Sequence, residues 1–276
     1  MNPKQGLAHS RYPIGILDSG VGGLSIWRQI VKKLPNESTI YIADSKNCPY
    51  GSKSSEEIYQ FSKKLVTFLI QKKVKLIVLA CNTITVSCLP KLRKEFQKTP
   101  IIGTVPIIKT ASEITKNNRI GVLSTTRTAK SKYQKKLIKT FAGGVSVLNI
   151  GTDKLVPIIE NGNFKVTEVE NVLLEELDPF IKSNIDTLAL GCSHFPFLKR
   201  QIKKILGKKI LILDSSSAIA RQVERVLKNN KSFSDYKKPI YLFYTTGDAG
   251  QFNRVANELL RQRYTKMVKS IERIIL

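Results

Sequence analysis

Residues 74–85 read VKLIVLACNTIT, from Val74 to Thr85. Lys75 to Ala80 is mostly apolar and β-branched, the composition of a buried strand. Cys81 follows a small residue and precedes Asn82 and Thr83, residue types that cap the start of a helix. The cysteine is therefore expected at a strand-to-helix turn. Backbone N–H groups and the helix dipole there favour negative charge and lower a thiol's pKa from about 8.5. A lone cysteine beside an apolar run is more often a small core residue. A second copy changes that balance: IDTLALGCSHFPF, Ile185 to Phe197, repeats strand, small residue, cysteine and two polar residues around Cys192. Upstream, IGILDSG (Ile14 to Gly20) resembles IGVLSTT (Ile120 to Thr126). Two such pairs imply two similar α/β halves whose cysteines face each other across a cleft.

The rest of the chain fits this reading. Strands are expected at Pro13–Leu17, Ser38–Ala43, Pro100–Gly103, Ile120–Leu123, Val145–Ile150, Ile210–Leu213 and Tyr241–Tyr244. Helices are expected near Leu24–Leu34, Ser55–Gln71, Ser131–Phe141, Lys154–Asn161, Val166–Ser183 and Ala218–Leu227, with Thr104-Val105-Pro106 as a crossover. A basic amphipathic helix closes the chain after TTGD. Alternation of this kind predicts α/β architecture with largely parallel sheets. At 276 residues the chain has room for one large domain or two of roughly 130.

Several function classes recede. No apolar run reaches the 18 or more residues of a membrane span, and the amino-terminal stretch has no apolar signal region. Four cysteines without CxxC or paired histidines speak against structural zinc and against a disulfide framework, and point to the cytoplasm. Cys48, before a proline, reads as incidental, and Cys88 as a packing residue. The net charge of +25 is spread over nearly every expected helix, without a recognition-helix, RRM or zinc-finger pattern, so no specific nucleic-acid partner is expected. The loop Asp18-Ser19-Gly20-Val21-Gly22-Gly23 is GxGG rather than GxGxxG. A carboxylate in its mouth makes it a poor phosphate cradle.

With these residues in view, the chain resembles the glutamate racemase family of cofactor-independent aspartate/glutamate racemases. The resemblance rests on GILDSGVGGL (Gly15 to Leu24), PYG (Pro49 to Gly51), ACNT (Ala80 to Thr83), Val105-Pro106, GCSHFP (Gly191 to Pro196) and FYTTGD (Phe243 to Asp248). It implies two pseudo-symmetric domains, residues 1–104 with 214–276 and residues 105–213, with the active site in the cleft between them. It implies Cys81 and Cys192 as the acid/base pair, Asp18 assisting Cys81, and His194 assisting Cys192. Asp18, Ser19, Tyr50, Gly51, Asn82, Thr83, Ser193 and His194 match the substrate-binding motifs. A glutamate also serves the second cysteine in the family, and Glu160 in VPIIEN is the candidate here. The family's Cys-Pro upstream of it is replaced by Gly151-Thr152-Asp153-Lys154. Ser193 stands for the usual threonine, and Phe195 for the usual tyrosine, a change expected to loosen local packing.

By the same resemblance no cofactor and no metal is expected, and the partners are L- and D-glutamate. A cell-wall precursor activates some members, a homodimer is among the assemblies allowed, and the D-glutamate formed supplies peptidoglycan. A racemase for another acidic amino acid, aspartate, is the alternative, since catalytic residues alone do not measure side-chain length. The chemistry stands without the family. Inverting an α-carbon needs a base on one face and an acid on the other. Two sulfurs each roughly 3–3.5 Å from that carbon lie roughly 6–7 Å apart, too far for a disulfide.

Overall fold

The structure, a computed structural model, describes residues 10–104, 107–162 and 166–276. The Val105-Pro106 crossover and most of the amino-terminal stretch read above lie outside the described residues. The chain begins with β1 (Ile14–Asp18), β2 (Thr39–Ala43), β3 (Leu76–Leu79) and β4 (Ile101–Gly103). These are linked by α1 (Leu24–Lys33), α2 (Ser55–Gln71) and α3 (Asn82–Glu95). After α4 (Ile108–Ile114) come β5 (Arg119–Ser124), β6 (Ser146–Gly151), β7 (Thr187–Gly191) and β8 (Leu211–Asp214). Their connections carry α5 (Thr126–Lys130), α6 (Lys132–Phe141), α7 (Leu155–Glu160), α8 (Val166–Lys182) and α9 (Lys199–Leu206). The helix α10 (Ser216–Asn229) leads back to the first sheet, completed by β9 (Tyr241–Thr245), α11 (Ala249–Thr265) and β10 (Val268–Arg273).

Two parallel sheets result, as alternation predicts. One is ordered β10-β9-β2-β1-β3-β4 and the other β6-β5-β7-β8. Within the first, β2-β1-β3-β4 repeats the order of the second, so β3 and β7, the strands that precede the two cysteines, hold equivalent places. Strands β1, β2, β3 and β7 are buried along their whole length, as expected of parallel sheets covered by helices on both faces. The apolar core is continuous between the halves: Ile14, Trp27 and Tyr41 pack in one cluster with Leu188, Phe195 and Leu198. Phe195, where the family usually has tyrosine, is fully buried there.

Residue patterns explain both the expected elements and the missed ones. The helix α2 runs over the expected residues, its start fixed by a capping box between Ser54 and Glu57. The short α5 (TRTAK) and α9 (KRQIKKIL) show too few apolar repeats to read as helices. The strand β10 joins the sheet edge with a half-exposed face, where the sequence predicts a closing helix. At the amino ends of the strands, buried Lys75 pairs with buried Glu37 at 2.5 Å. It also donates to the carbonyls of Ser10 and Ser232, each at 2.8 Å. That knot sits at the opposite end of the sheet from the cysteines.

Candidate active site

Parallel sheets present ligands at the carboxyl ends of their strands, and both cysteines stand there. Cys81 caps α3 with extended backbone, so Asn82 and Thr83 are the first helical residues rather than caps, and no side chain caps this helix. Cys81, Cys192, Ser19, Tyr50, Gly51, Thr83 and His194 line one pocket. The space between them is closed to about 10 Å³, roughly room for one water.

The two thiols have unlike surroundings. The Ser19 hydroxyl lies 3.6 Å from Cys81 Sγ and donates to it. Burial, with the Asp18 charge beside it, pushes the Cys81 thiol up to about 12, against the pull of the Ile84 N–H and Ser19. The lowered thiol expected from the helix start is thus reversed. Two hydrogen bonds do not offset full desolvation and a neighbouring carboxylate. On the other side, His194 Nδ1 lies 3.7 Å from Cys192 Sγ, and Nε2 lies 2.5 Å from Glu160 Oε1. Burial works against the His194 cation, but the bonds to Cys192 and Glu160 and their charges outweigh it and raise its pKa well above the ordinary value. The imidazolium therefore sits directly beside the Cys192 sulfur.

Asp18, Asn82, Ser193 and Glu160 adjoin these residues without lining the closed space itself. Asp18 is fully buried, accepts from Gly20 N–H at 2.9 Å and Ser193 Oγ at 3.0 Å, and reaches Cys81 through its charge. Its own carboxyl is raised, chiefly by burial. The side-chain nitrogen of Asn82 is buried and unpartnered among the described residues. Glu160 reaches across the seam to accept from Val21 N–H at 2.7 Å. The glycine-rich loop makes that approach possible: a Cβ on Gly20 would stand 1.9 Å from Glu160 Oε1, and one on Gly22 would stand 2.3 Å from His194 Nδ1. The Tyr50 hydroxyl donates to Asp44, which also accepts from Thr246 Oγ1 at 2.6 Å, so the FYTTGD segment braces the PYG turn.

Sequence reading passed over Thr125 and Thr128. Thr125 Oγ1 lies 2.9 Å from Thr83 Oγ1 and 2.9 Å from Thr128 Oγ1, a buried hydroxyl cluster across the seam. The signal was present, since aligning IGILDSG with IGVLSTT sets Thr125 opposite Ser19. Asp153 and Val156 also line the pocket. Cys48 is not isolated either: its sulfur, a Glu160 oxygen and a His194 nitrogen lie within 4.8 Å of one another. Among the described residues no helix is long and apolar enough to cross a membrane.

The profile of the Asp/Glu/Hydantoin racemase family matches residues 14–223. A glutamate racemase of Clostridium novyi is 37% identical over 253 residues, covering 91% of this chain and 98% of that one. The Escherichia coli glutamate racemase, solved in complex with L-glutamate and the activator UDP-MurNAc-Ala, superposes with a TM-score of 0.84 at 31% identity, covering 95% of this chain and 98% of that one. The Francisella tularensis enzyme, solved with D-glutamate, gives 0.84 at 32% identity, over 97% and 98% of the two chains.

Proposed function

This chain belongs to the Asp/Glu/Hydantoin racemase family, and from that premise we propose that it interconverts L- and D-glutamate by proton transfer between Cys81 and Cys192. One observation carries the reading: cysteines at equivalent strand ends of two like-ordered sheets line a single pocket. A Cys192 thiolate, beside the His194 imidazolium, removes the α-proton of L-glutamate. The Cys81 thiol, held protonated by burial, delivers its proton to the opposite face. Cys192 ends as thiol and Cys81 as thiolate, the state that runs D to L. The Asp18 charge favours the Cys81 thiol that the L-to-D direction uses, and Glu160 holds the His194 cation. Ser19, Tyr50, Gly51 and Thr83 receive the substrate's polar groups together with Thr125, and Asn82 and Ser193 join them once the closed space opens. The unpartnered Asn82 nitrogen supports this, since a buried donor needs an acceptor.

The domains divide at 104/105 and 213/214, and the first sheet holds Cys81 while the second holds Cys192. The wider role belongs to the same proposal: a cytoplasmic enzyme, consistent with four free cysteines, whose D-glutamate enters peptidoglycan. The activator in the Escherichia coli complex makes a cell-wall precursor the effector to try. The decisive experiment is α-hydrogen exchange in deuterated water. Cys81→Ala and Cys192→Ala are each expected to lose racemisation by on the order of 10²–10⁴-fold, while Cys81→Ala still labels L-glutamate and Cys192→Ala still labels D-glutamate. Racemisation by Cys81→Ala at near the parent rate would sink the two-base scheme. Parallel rates with aspartate test the side-chain length accepted.

A further inference from the structure

Cys48, Glu160 and His194 lie far apart in sequence but bring a sulfur, a carboxylate oxygen and an imidazole nitrogen within 4.8 Å of one another. We propose that these three residues form an inhibitory binding site for a thiophilic divalent cation such as Zn²⁺, which bridges the two halves and holds the cleft shut. The donor set is one zinc prefers, thiolate with imidazole and carboxylate. Tetrahedral binding at about 2.0–2.3 Å needs each donor to shift by about an ångström. His194 Nε2 and Glu160 Oε1, now 2.5 Å apart, spread to admit the ion.

Three further features fit a cation. Burial first, and then the charges of Glu160 and Asp18, disfavour a bare Cys48 thiolate, and the same negative field attracts a positive ion. A neighbouring cavity of about 200 Å³, lined by Cys48, Pro49, Glu160, Asp248 and Gln251, gives the ion a way in and leaves space for water as fourth ligand. His194 Nδ1, facing Cys192 at 3.7 Å and Ser193 Oγ at 3.5 Å, keeps an outer partner once Nε2 carries the metal. Binding releases the Cys48 thiol proton and the His194 Nε2 proton to solvent. It also removes the imidazolium from Cys192. Cys48 belongs to the turn after β2, whereas Glu160 and His194 come from the second half, so the bound ion ties the seam.

The test uses the full-length protein, Zn²⁺ for inhibition and Co²⁺ as spectroscopic reporter. Zn²⁺ is expected to inhibit racemisation reversibly, with activity restored by a chelator. Cys48→Ala and the shape-preserving Cys48→Ser are expected to keep basal racemisation. Both should weaken Zn²⁺ inhibition by more than the roughly 10–100-fold that an outer-shell change costs. Co²⁺ is expected to give a near-ultraviolet thiolate-to-metal band that survives in Cys81→Ala, Cys88→Ala and Cys192→Ala but is absent from both Cys48 variants. The kinetic arm rests on the proposed racemase activity, and the cobalt spectrum does not. A band that persists without Cys48 and disappears without Cys81 or Cys192 overturns the proposal, as does the absence of any band in the parent protein.

Discussion

Asp18 shows how one buried residue sets function against stability. Its folded-state pKa is raised, chiefly by burial. The sign follows: the native state favours the protonated acid, so this group's contribution is greatest below its unfolded pKa and is lost as pH rises through the folded value. At neutral pH the ionised side chain is a cost. Asp18→Asn keeps the Gly20 N–H bond and turns an N–H toward the Ser193 oxygen. Thermal unfolding should show Asp18→Asn melting above the parent at pH 7, with the gap closing toward about pH 4. Its racemisation should fall by on the order of 10²-fold. A lower melting point at pH 7 would mean that Asp18 stabilises the fold and that its charge is not held there for chemistry.

Among the elements, the base of the first sheet carries the sharpest stability test. Glu37→Gln leaves the Lys75 cation buried beside the carbonyls of Ser10 and Ser232. Removing one partner of a buried pair costs about 3–5 kcal/mol, which denaturant melts of Glu37→Gln against the parent measure directly. Lys75→Met combined with Glu37→Leu should recover much of that loss. A Glu37→Gln cost below about 1 kcal/mol would show that solvent reaches the pair. The knot also marks the limit of sequence reading. Lys75 reads as an ordinary strand opening, because its partner lies 38 residues earlier and nothing in periodicity links them. Strands β1, β3, β5 and β7 were legible from composition and from the doubled cysteine, since those signals are local. Thr125 was legible in the internal match and overlooked. The state of the Cys81 thiol was not legible, because burial depends on both halves closing over it.

At the scale of the whole molecule, the seam is tight. Ser25 Oγ donates to the Ser193 carbonyl at 2.9 Å, and Thr83 meets Thr125 at 2.9 Å. A space of about 10 Å³ between the thiols does not admit an amino acid, so substrate entry requires the halves to part. The matched strand order with unmatched thiol surroundings then has a thermodynamic consequence. Mirror-image amino acids are equal in free energy in water, so the equilibrium constant of their interconversion is unity. It also equals the ratio of kcat/KM in the two directions. No asymmetry between the Ser19 side and the His194–Glu160 side can move that ratio. It can only divide each direction's kcat/KM between kcat and KM. His194→Asn should therefore lower kcat/KM for both enantiomers by the same factor, although it touches one sulfur. Full progress curves from each pure enantiomer should still meet at a racemic mixture.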